Sequence, residues 1–100
     1  MKLYDIAHSR TGDKGNISTI SVIAYKAEHY DLICSKVTVE SVYKLFQPLG
    51  ATKVERYELP QLYALNFVLH NTLDGGVTKS IMLDIHGKCF SSLMLEMEVG

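Results

Sequence analysis

The chain contains no tryptophan, only two prolines and only two cysteines among its 100 residues. The cysteines, Cys34 and Cys89, stand 55 positions apart with no C-x-x-C or Cys/His spacing around them. This excludes a disulfide-stapled miniature and argues against a zinc or iron–sulfur site. No H-x-x-x-H or H-x-H pair is present, and neither a metal nor a cofactor is expected. The first apolar run is interrupted by Asp5 and His8, unlike an export signal. Both thiols are therefore expected to be reduced and buried, and the protein to be cytoplasmic. No apolar run approaches the roughly 18 residues of a membrane-spanning helix. Charge of one sign is also missing. The net charge is −1 and no basic stripe occurs, so neither nucleic acid nor a membrane is an expected partner. With no repeat and no Pro/Gly/Ser linker, residues 1–100 are expected to form a single domain.

What is present is a core. Hydrophobic residues make up 47% of the chain, enough to exclude disorder. Leu3 to Ala7 is expected as a first strand, and Ile17 to Tyr25 as a second, β-branched one. Ala27 to Cys34 is expected as a short helix. A second helix is marked by Thr38 as N-cap and Glu40 in the first turn. Val37 and Val42 are placed as a hydrophobic staple, and Val39, Val42, Tyr43 and Phe46 form a stripe that Pro48 and Gly50 end. Strands are then expected at Val54 to Leu59, Ala64 to Leu73, Val77 to Ile85 and Cys89 to Val99. The turns between the last three are Asp74-Gly75-Gly76 and His86-Gly87-Lys88. Leu65, Phe67 and Leu69 share a parity that is continued by Ile81, Leu83 and Ile85 if residue 69 opposes 81, and by Val77, Leu93, Leu95 and Met97 if the second turn has three residues. This defines a core face. The opposite face carries Val68, Met82, Phe90 and Met94, too apolar for a surface open to water, and these four are expected to meet another subunit or chain. The fold expected is α+β: a two-layer sandwich with a mostly antiparallel sheet and two helices on one face, close to ferredoxin-like.

Between the first two strands, His8-Ser9-Arg10-Thr11-Gly12-Asp13-Lys14-Gly15-Asn16 has no large apolar side chain and reads as a polar loop. It could hold an anion or a carboxylate or CoA-type ligand through backbone N–H groups, Lys14 and Arg10. It could equally be a tight connection in which Asp13 caps local amides. It is not a Walker A motif, and Ser9 and Ser18 lack a nucleophile elbow. Arg56 could pair a substrate carboxylate or Asp13, or form an ion pair with Glu55, Glu58 or Asp84. Asn66 and His70 share one strand face about 13 Å apart, too far to touch one small atom together. His8 and His70 are the candidate acid/base residues.

Four blocks in order carry a resemblance: His8 to Asn16, Val54-Glu55-Arg56-Tyr57-Glu58-Leu59-Pro60, Ala64 to Leu69 followed by Leu73 to Val77, and Asp84 to Lys88. They are similar to the ferredoxin-fold domain of the acyclic terpene utilisation protein A family, which occurs within a larger protein or as a separate small chain. The resemblance implies a ferredoxin-like fold and an accessory small subunit. The context it implies is the breakdown of branched or terpene-derived carboxylic or acyl-CoA compounds, with a separate large chain as partner, while the homo-oligomer is expected from the apolar sheet face. It transfers no catalytic role to any residue. Two alternatives stay open: a free-standing hydratase or lyase with a His acid/base, and a small-ligand-binding regulatory module.

Overall fold

The computed structural model describes residues 1–14, 17–71 and 90–100. Among the described residues, four antiparallel strands form one sheet in the order β1-β2-β4-β3: β1 (Ala7–Lys14), β2 (Ile17–Ala24), β3 (Lys53–Leu59) and β4 (Ala64–His70). Two helices, α1 (Tyr30–Lys36) and α2 (Val39–Phe46), connect β2 to β3, and α3 (Phe90–Leu95) follows later in the chain. Each strand sends alternate side chains to opposite faces. Ile20, Val22, Leu65, Phe67 and Leu69 are fully buried on one of them, where they meet Ile33, Val42, Phe46 and Met94 of the helices. The fold is thus an α+β two-layer sandwich, with Leu65, Phe67 and Leu69 on the core side as their parity requires.

The second helix forms as its sequence dictates. Thr38 Oγ1 accepts a hydrogen bond from the Ser41 N–H at 3.1 Å, and the Thr38 N–H donates to Ser41 Oγ at 2.9 Å. Val37 and Val42, flanking this cap, are both fully buried. After Phe46 the chain tightens into a 3-10 turn at Gln47–Leu49 containing Pro48. It leaves through Gly50 at φ 106°, a left-handed conformation that costs glycine little.

Three sequence expectations need correction. Leu3–Asp5 is a 3-10 turn rather than a strand. The Asp5 carboxylate accepts the Lys2 N–H at 3.0 Å, a local bond that competes with extended pairing. The polar stretch from His8 is not a loop, because residues 7–14 are β1, paired position by position from Ala7↔Ala24 to Lys14↔Ile17. A strongly β-forming neighbour supplies the ladder, and at the edge of the described sheet a polar strand is tolerated. Finally, Phe90–Leu95 is helical, not part of a last strand. Leucine and methionine are good helix formers, and Phe90, Leu93 and Met94 stand at i, i+3 and i+4, a helical spacing masked by the alternation of Leu93, Leu95 and Met97. Met94, expected on an open sheet face, is consequently fully buried in the core. Beyond α3 only a short bridge remains, with Leu3 N–H donating to Met97 O at 2.8 Å and Val99 N–H to Met1 O at 2.9 Å. The turns at 74–76 and 86–88, the strand at 77–85 and the 69/81 register lie outside the described residues.

Candidate functional site

The side of the sheet turned away from the helices is a grid set by register. Across β1, β2, β4 and β3 its rows are His8, Ile23, Ala64, Leu59; then Arg10, Ser21, Asn66, Tyr57; then Gly12, Thr19, Val68, Glu55; and last Lys14, Ile17, His70, Lys53. No helix packs on this face among the described residues. Asn66, Val68 and His70 are half-buried, while Arg10, Ile17, Tyr57 and Leu59 are exposed.

One network is built into the β3–β4 corner. His70 Nε2 lies 2.7 Å from Glu55 Oε2, and the Tyr57 hydroxyl donates to Glu55 Oε1 at 2.8 Å. An ionised carboxylate only accepts, so His70 donates to it from Nε2. The hydrogen bond from His70, and then that from Tyr57, hold the Glu55 carboxyl below the usual carboxylate range. The same carboxylate raises the Tyr57 phenol. Nearer the centre, Ser21 Oγ donates to Asn66 Oδ1 at 3.2 Å. Gly12 keeps the adjacent row open, since a Cβ there would stand 3.0 Å from Thr19 Oγ1.

The residues singled out in the sequence are only partly brought together. Arg10, Gly12, Asn66, Val68 and His70 share the open face. Ser9 and Thr11 alternate to the helix side, opposite Val22 and Ile20. Ser9 Oγ is buried there with no described hydrogen-bond partner. The backbones of Asp13 and Lys14 pair with Ser18 and Ile17, and Gly15, Asn16 and Met82 lie outside the described residues. Phe90 opens α3. His8 stacks on Tyr25, with centroids 5.3 Å apart and planes 26° from parallel. It opposes Ile23, beside Ala64, and His70 lies six positions beyond Ala64 along β4. At the usual rise the two histidines are therefore separated by about 20 Å along the strands and cannot serve one reacting centre.

Arg56 belongs to the other side. Its Nη1 donates to the carbonyls of Cys34 at 2.7 Å and Val37 at 3.0 Å, and its Nη2 pairs with Glu58 Oε2 at 2.9 Å. A cation closing the last turn of α1 satisfies carbonyls that the helix leaves open. Arg56 holds the helix layer on the sheet and is remote from the open face. Cys34 is a half-buried free thiol.

The sequence offers Glu55 only as an ion-pair alternative for Arg56 and gives Tyr57 and Ser21 no role of their own. The signal for the first two is present: a hairpin across Pro60–Tyr63 sets Leu59 against Ala64, and the same register places Glu55 diagonal to His70.

Among the described residues no group of three or more His, Cys, Asp and Glu side chains could hold a metal ion. No described helix is long and apolar enough to cross a membrane. Neither the curated proteins nor the solved structures give a match to the chain. The family model of the AtuA ferredoxin-like domain matches it over residues 1–100, and the chain belongs to that family.

Proposed function

We propose that the chain is a small accessory subunit of an AtuA-type system and acts by assembly through its open sheet face. What supports this is the composition of that face. Ile17, Ile23, Val68 and Leu59 are interleaved with Arg10, Ser21, Asn66 and His70, and no described helix covers them. A sheet face left to water carries a more uniformly polar pattern. Any ligand would be held where the face meets another chain, within reach of Arg10, Asn66 and His70. The compounds that the family name implies are branched or terpene-derived carboxylic or acyl-CoA species, and the partner it implies is a separate large AtuA-type chain.

The test is affinity purification of the tagged chain and of Val68→Glu from native extract, read by light scattering and mass spectrometry. Co-purification of the large chain or self-assembly, abolished in Val68→Glu, is expected. Assembly that is unchanged in Val68→Glu overturns the proposal.

A second reading is favoured by one observation. The Glu55 carboxylate bonded to both His70 and Tyr57 is an arrangement that orients a histidine for proton transfer. On that reading the chain is a hydratase- or lyase-type enzyme using His70. Turnover by the purified chain, lost in His70→Ala, would replace the accessory role.

A further inference from the structure

We infer that the open sheet face is the contact surface of a homodimer, in which β1 of one copy crosses over β3 of the other. This rests on reading that face as an assembly surface, and it names the occupant as a second copy. The argument is self-complementarity. A two-fold axis parallel to the strands and passing between β2 and β4 sets β1 over the partner's β3 and β2 over the partner's β4, with each row facing itself.

The rows then match in chemistry. In the first, His8 faces Leu59, while Ala64, opposite Ile23, is already buried in its own chain. In the second, Arg10 faces Tyr57 and Ser21 faces Asn66. In the third, Thr19 faces Val68, with Gly12 over Glu55. Arg10 is exposed and has no described hydrogen bond or ion pair in its own chain. In the dimer its guanidinium lies over the Tyr57 ring, one residue pair from the Glu55 carboxylate, which offers both a cation–π and a charge contact. The absent Cβ of Gly12 leaves room over the Glu55 position. The fourth row brings the Lys14 and Lys53 positions to one corner, so the contact is carried by the first three.

The size fits a weak dimer. At about 4.8 Å between strands and about 3.4 Å per residue, the three contacting rows project roughly 400 Å² per copy. Two copies then bury about 800 Å², below the standard size of a stable interface, so the dimer is a weak, concentration-dependent one.

The experiment uses the full chain with Cys34 and Cys89 replaced by serine. Arg10→Cys combined with Tyr57→Cys is treated at high protein concentration with a bismaleimide long enough to join facing sheets about 10 Å apart. It is too short to span these positions within one chain, which are three strands and about 14 Å apart. A covalent dimer in the double variant, and not in either single variant, is expected. In the otherwise unaltered chain, Arg10→Glu is expected to weaken dimerisation at least ten-fold by sedimentation, with an unchanged far-ultraviolet spectrum. A chain that stays monomeric at several hundred micromolar, or cross-linking by Arg10→Cys alone, overturns the dimer. If the chain is monomeric while Val68→Glu still abolishes binding of the large chain, the dimer fails and assembly through the face stands. If a dimer persists undiminished in Val68→Glu, both fail.

Discussion

His70 Nε2 and Glu55 Oε2 are 2.7 Å apart on neighbouring strands, and the same carboxylate takes the Tyr57 hydroxyl at 2.8 Å. This network gives the open face a pH dependence. Glu55 titrates below its ordinary range, so the unfolded chain takes up the proton first as pH falls. The stability contributed by its contacts is complete above the ordinary carboxylate value and is lost as pH drops through the lowered one. Between about pH 7 and about pH 3, Glu55→Gln is expected to lose less stability than the unaltered chain, measured by urea unfolding at each pH. Parallel losses in both chains would mean that the carboxylate contributes nothing there.

Arg56 is expected to be structural. Arg56→Ala leaves the Cys34 and Val37 carbonyls without their donor. A loss of about 2 kcal/mol follows from the worth of charged hydrogen bonds, or about 8–16 °C in Tm for a chain of this size. Arg56→Lys, which cannot reach both carbonyls and Glu58 at once, should recover only part. Thermal unfolding followed by circular dichroism decides it, and a change in Tm too small to measure would contradict the assignment.

Tyr30 reports on the opposite layer. Its hydroxyl donates to the Ala64 carbonyl at 3.1 Å in the interior, and burial, followed by its contact with Cys34, pushes it up to about 12. A raised value means that the contribution is complete below the ordinary value of 10.0 and is lost as pH rises towards about 12. Tyr30→Phe is expected to cost about 1 kcal/mol at neutral pH and to flatten the alkaline fall in stability. A variant with an unchanged alkaline profile would show that Tyr30 does not carry it.

Thr38→Ala removes the acceptor for the Ser41 N–H and is expected to cost about 1 kcal/mol, with Thr38→Ser close to neutral. Chemical denaturation of the three chains side by side checks this.

Those features written in local chemistry were legible in the sequence. The α2 cap, its staple and stripe, and the stop at Pro48 and Gly50 depend on neighbours within a few residues, and all form as expected. The parity of Leu65, Phe67 and Leu69 identified the core side of β4. What depended on partners at a distance was not legible. Polar composition suggested a loop at residues 8–16, but pairing with β2 makes 7–14 a strand and divides its side chains between two faces. Arg56 could not be assigned before the end of α1 was known to lie against it. The Glu55–His70–Tyr57 network needed the β3–β4 register, which a connection of four residues, Pro60–Tyr63, implies but the sequence does not state.

The most direct measurement on the assembly surface is hydroxyl-radical labelling of side chains at low and at high protein concentration. Tyr57, on the open face, and Tyr4, on the N-terminal turn, are 49% and 63% exposed in the single chain and serve as probe and control. Assembly through the face is expected to lower the labelling of Tyr57 several-fold on concentration while leaving that of Tyr4 unchanged. Tyr57 labelled equally at both concentrations, with the large chain present or absent, would contradict it.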